Sequence, residues 1–128
     1  MLLEGNGWRV YDSTALQRPF AYRDYIRQSR GEFSCAKPSC MRLQNAWISD
    51  RTICYLASGR PAVVQHTGPS RVLPDGTGVL RFRTPADAVA ALRRVDDDYD
   101  THAQAARAIA EATFDGARIV RAVLERCL

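Results

Sequence analysis

The residues able to do chemistry in this chain gather between positions 37 and 68. Ser49, Asp50 and Arg51 stand immediately before an apolar run, where a serine caps a helix and the first-turn N–H groups are free to meet an anion. With the Arg51 guanidinium beside them they form a candidate phosphate cradle. Asp50 opposes an anion there unless it turns away or pairs with Arg51, and the plain alternative is a capped helix with a solvated arginine. Lys37 follows an expected strand end, where it is either a second phosphate contact or a solvated lysine. His66, Thr67 and Gly68 leave another expected strand, and an imidazole so placed can bond a ligand hydroxyl or act as a base. No acidic partner for His66 is evident, so the catalytic residue is left unassigned, with His66 as the candidate.

Other chemistries lack their residues. Cys35, Cys40, Cys54 and Cys127 form no CxxC pair, and only His66 and His102 stand with them, so no metal site is expected and the thiols read as buried in a reducing compartment. No Ser/His/Asp or Cys/His spacing suggests a paired nucleophile and base. The net charge is +4, but the arginines are scattered without interleaved aromatics, which argues against a nucleic-acid partner. No apolar run approaches the roughly 20 residues of a membrane span. The first ten residues, MLLEGNGWRV, have no secretory pattern, and a cytoplasmic protein is expected.

Positioning these residues requires alternating strands and helices. With 128 residues the chain reads as one domain, 1–128. Residues 7–10 read as the end of a short strand, 11–18 as loop, and 19–30 as a helix opened by Pro19 and ended by Gly31. A short strand is expected over 32–36 and a loop over 39–46. A helix of about ten residues follows Ser49, with Ile53, Leu56 and Ala57 inward and Gly59 closing it. Ala62, Val63 and Val64 form a run typical of a strand buried on both faces. After a Pro- and Gly-rich loop over 69–78 comes a strand over 79–82. Thr84, Pro85 and Asp87 then mark a helix start, with Val89, Leu92 and Val95 inward. A helix over 98–113 buries Tyr99, Ala103, Ala106, Ile109 and Ala110. Asp115 caps a last one, in which Ile119, Val120, Val123 and Leu124 pack.

This alternation predicts an α/β fold with a mostly parallel sheet, helices on both faces and a helical C-terminus. Ligands of such sheets lie at the carboxyl ends of the strands. The Gly-rich strand–turn–helix unit that usually opens a Rossmann-like domain is not found before Trp8, which suggests a partial chain or a reduced fold.

The ordered series Trp47, Ser49-Asp50-Arg51, Tyr55-Leu56-Ala57-Ser58-Gly59-Arg60-Pro61 and Thr67-Gly68 resembles the C-terminal donor-binding half of GT-B-type glycosyltransferases, most closely a bacterial glycosyltransferase-like subgroup. The likeness continues through Leu73-Pro74, Gly76, Gly78, Phe82, Ala106-Arg107 and Phe114-Asp115, and reaches back to Tyr22, residues 29–34 and Ala36-Lys37. It implies a Rossmann-like sheet, the C-terminal half of a GT-B fold, that binds a nucleotide-diphosphate sugar without a further cofactor. The implied donor contacts are Ser49, Asp50, Arg51, Cys54, Thr67, Gly68 and Lys37. Cys54 stands where many such enzymes hold the donor ribose with a glutamate, and a thiol is a poor acceptor, so it reads as a small buried residue. His66 stands where the close subgroup has an acid. Because catalysis in this family uses a cleft between two domains, the chain alone is expected to be inactive without a separate N-terminal acceptor domain. The alternative is a non-catalytic α/β interaction module prone to self-association.

Overall fold

In the computed structural model, which describes residues 3–127, the run Ala62–Gln65 forms the central strand of a three-stranded sheet. Numbered in chain order it is β2. On one side it pairs in parallel with β1, Glu32–Ser34, and on the other with β3, Val79–Phe82. Register aligns Phe33 with Val63 and Val63 with Leu80. Because successive side chains of a strand point to opposite faces, the sheet divides its core in two. Ala62, Val64 and Val79 pack with Leu56, Leu73, Ala106 and Ala110, whereas Val63, Leu80 and Phe82 pack with Ala88 and Val95.

The helices that supply these partners begin where local chemistry starts them. Pro19 and Pro38 open α1, Pro19–Gln28, and α2, Pro38–Leu43. Ser49 caps α3, Asp50–Ala57. Thr84 and Asp87 form a reciprocal capping box at the start of α4, Pro85–Asp97. The chain ends in α5, Tyr99–Phe114, and α6, Gly116–Cys127. Residues of α3 and α5 cover one face of the sheet and residues of α4 the other, giving a parallel α/β fold with a helical C-terminus. Gly78, with φ of +78°, lets the chain enter β3 against α5, because a Cβ there would stand 2.6 Å from the Ala106 amide nitrogen.

Several expectations are corrected. Residues 7–10 form no strand; single 3-10 turns at Glu4–Asn6 and Ser13–Leu16 flank them, and among the described residues β1 takes a partner on one side only. The expected loop over 39–46 contains α2, a helix with one buried residue, Cys40, and therefore no apolar periodicity to announce it. The inward residues of α3 are Thr52, Tyr55 and Leu56, with Ala57 exposed. In α4 the buried line is Ala88 and Val95, small enough for close approach to the sheet, and Val89 and Leu92 remain exposed. No residue of α6 is buried; Ile119, Val120, Val123 and Leu124 form an exposed apolar row. The thiols divide as well, since Cys40 is buried and Cys35, Cys54 and Cys127 are exposed.

Candidate functional site

A helix that returns the chain between parallel strands runs opposite to them, so the first turn of α3 lies at the carboxyl edge of β1 and β2. Ser49 is extended there, and its Oγ accepts from the Arg51 N–H at 3.2 Å. Asp50 Oδ1 accepts from the same N–H at 2.9 Å and from Ser49 Oγ at 3.1 Å. The Arg51 amide is therefore already met by side chains, one of them a carboxylate at the positive end of the helix.

Arg51 itself is drawn toward the sheet. Its Nε donates to Glu32 Oε1 at 2.8 Å, and Ser34 Oγ donates to the same oxygen at 3.0 Å. Glu32 is 5% exposed, and Oε2 has no hydrogen-bond partner among the described residues, so the carboxylate depends heavily on this one cation. The hydrogen bond to Glu32 holds the Arg51 pKa above its ordinary range, against the opposing effect of burial. Burial raises the nearby Tyr22 hydroxyl, with Arg51 opposing. The Arg51 side chain is still 45% exposed, so the protein does not fully enclose it.

At the end of β2, Gln65 Oε1 accepts from the Ala36 N–H at 3.0 Å and ties the exit of β1 to β2. Lys37 follows as the exposed residue that precedes α2. The Thr67 hydroxyl is buried and donates to the Trp47 carbonyl at 2.6 Å, while the Ala46 N–H donates to the Thr67 carbonyl at 2.8 Å. Gly68, at φ of +116°, lies so close to the Gln44 carbonyl that no side chain fits. These contacts latch the segment entering α3 onto the turn after β2. Ser49, Asp50, Arg51, Thr67 and Gly68 thereby share one rim, and Lys37 lies along it. Cys54 lies one turn further along α3 and is exposed, a correction to its reading as a buried thiol.

His66 faces two donors. Its Nδ1 is 3.1 Å from the Gly68 amide nitrogen, and its Nε2 is 2.9 Å from Arg83 Nη2. Burial, then Arg83 and Arg81, push its pKa below the ordinary histidine value and favour the neutral ring. Arg83 and Glu32 escaped sequence reasoning. The signal for Arg83 is the pairing of Gln65 with Phe82, which sets residues 66 and 83 side by side and becomes visible only once the register is known.

The crevice between the ends of β1 and β2 and the start of α3, lined by Ala36, Trp47, Ser49, Thr52 and Gln65, encloses about 10 Å³. That is the space of one water molecule. Thr52 is 1% exposed, and its hydroxyl has no hydrogen-bond partner among the described residues. The crevice is therefore too small to admit a nucleotide. Among the described residues no group of three or more His, Cys, Asp or Glu is placed to hold a metal ion, and no helix is long and apolar enough to cross a membrane. Compared with known proteins, the chain matches no family model, no curated protein and no solved structure.

Proposed function

We propose that this chain is the donor-binding part of a glycosyltransferase and holds a nucleotide-diphosphate sugar across the carboxyl edge of its sheet. The observation that carries this reading is the convergence on one rim of Ser49–Arg51 with His66–Gly68, joined through the Thr67–Trp47 contact. The sequence resemblance assigns the donor to all of these except His66, which stands where the close subgroup has an acid. The outer N–H groups of Arg51 and the Lys37 ammonium supply cationic donors for a diphosphate. Transfer requires an acceptor held in line with the donor, so the chain is expected to bind without turnover until an acceptor domain joins it. Calorimetric titration with UDP-, GDP- and dTDP-sugars tests the reading: saturable heat with one of them supports it, and no heat with any opposes it.

A second reading, a non-catalytic interaction module, is favoured by the exposed apolar surface beside β1. Phe33, 48% exposed, stacks on Phe82 at 5.4 Å between ring centroids and lines a hollow with Trp8, Val63, Leu92 and Val95. An open strand edge next to such a surface favours self-association. Light scattering decides this reading, since a monomer across the concentration range opposes it.

A further inference from the structure

The surroundings of His66 contain more donors than acceptors. A neutral imidazole offers one acceptor nitrogen and one N–H. If Nδ1 accepts from Gly68, then Nε2–H faces the Arg83 guanidinium across 2.9 Å; if Nε2 accepts from Arg83, then Nδ1–H faces the Gly68 N–H across 3.1 Å. Either tautomer leaves two donors pointing at each other, and a protonated ring leaves more. The nearby carboxylates are already engaged by backbone groups. Asp87 Oδ2 accepts from the Arg83 and Thr84 N–H groups, and Asp75 Oδ1 accepts from the Arg81 N–H. Among the described residues Arg83 forms no ion pair, and its side chain stands on the exposed rim next to the turn that carries Gly68.

An arrangement short of one acceptor, with a guanidinium that feels the Asp87 carboxylate but forms no ion pair with it, suits an oxyanion. We propose that Arg83 and His66 form a phosphate-binding contact at the carboxyl edge of β2 and β3, which receives a phosphate oxygen of a diphosphate ligand. The anion accepts from Arg83 and from the imidazole N–H, which leaves Nδ1 to accept from Gly68 and resolves the clash of donors. This contact complements the first turn of α3, where the Arg51 amide is taken by Ser49 and Asp50. The identity of the ligand as a nucleotide diphosphate rests on the donor reading above, whereas the phosphate contact itself does not.

The test follows the His66 Cε1–H signal by NMR during titration with sodium pyrophosphate, and then with the nucleotide sugars. His102, a buried residue of α5 whose Nδ1 accepts from the Gly78 N–H, serves as the internal reference. The contact predicts a saturable shift of His66 and a still His102, with affinity roughly ten- to a hundredfold weaker in Arg83→Gln and intermediate in Arg83→Lys. An unmoved His66, or equal affinity in Arg83→Gln, overturns it. If pyrophosphate binds through Arg83 while no nucleotide sugar binds, the contact stands and the donor reading falls. If a nucleotide sugar binds equally well to Arg83→Gln, the donor reading stands and the contact falls.

Discussion

Arg51 Nε donates to Glu32 Oε1 at 2.8 Å and so joins the first turn of α3 to the first residue of β1. This pair gives Arg51 a structural duty beside any contact with a ligand. Arg51→Ala leaves the buried Glu32 carboxylate without its cation and is expected to cost about 2 kcal/mol, less than a fully buried pair because Arg51 is half exposed. Adding Glu32→Gln should recover most of that loss. Urea denaturation of the two single variants and the double variant measures it; a neutral Arg51→Ala contradicts the assignment. Any loss of ligand affinity in Arg51→Ala therefore has to be read against the stability of the same variant.

The glycines around β3 provide a second check. Gly78 and Gly76 both have positive φ, but a Cβ at Gly78 meets the α5 backbone whereas a Cβ at Gly76 meets nothing closer than 3.9 Å. Gly78→Ala should cost about 3 kcal/mol from strain and overpacking together, and Gly76→Ala about 1 kcal/mol from strain alone. Equal losses would mean that β3 does not pass α5 as described.

Acid should weaken the fold below the ordinary histidine range. His102 is buried, its Nδ1 accepts from the Gly78 N–H at 3.2 Å, and protonation destroys that acceptor. Burial and then Arg94 hold its pKa below the ordinary 6.5, with Asp98 opposing. The unfolded chain thus takes up protons first as pH falls, so stability is full above about 6.5 and declines below it. His66 acts in the same direction. Urea midpoints at pH 7.5 and 5.5 should fall toward acid, and His102→Gln should flatten the difference. Greater stability of the parent chain at pH 5.5 would reverse the sign and refute it.

Thiol accessibility separates the cysteines. Cys35, Cys54 and Cys127 should react with an aromatic disulfide reagent in the native protein, while Cys40 should wait for unfolding. Loss of the rapid reaction at position 54 in Cys54→Ser locates it. Protection of Cys54 in the native state would return that residue to the core.

Much of the fold was legible because its signals are local. Ser49, Pro19 and the Thr84–Asp87 box start helices through contacts within a few residues, and Ala62–Val64 declares a buried strand by composition alone. α2 was missed because its six residues bury only Cys40. The pattern of α6 showed an apolar face but not whether anything covers it, and Ile119 and Leu124 remain exposed. In the site, the sequence pointed to the α3 start and the turn after β2. The partners that set their chemistry, Glu32 for Arg51 and Arg83 for His66, come from other strands. Such pairs follow from register, which no local pattern encodes.

The central claim is that a nucleotide-diphosphate sugar lies across the carboxyl edge. The most direct test is backbone amide chemical-shift mapping during titration with UDP-, GDP- and dTDP-sugars in turn. One of them should give saturable shifts concentrated at residues 49–51, 66–68 and 83, with the α5 and α6 amides still. Absence of saturable change with all of them, or shifts centred on the hollow between Trp8 and Leu92, would contradict it.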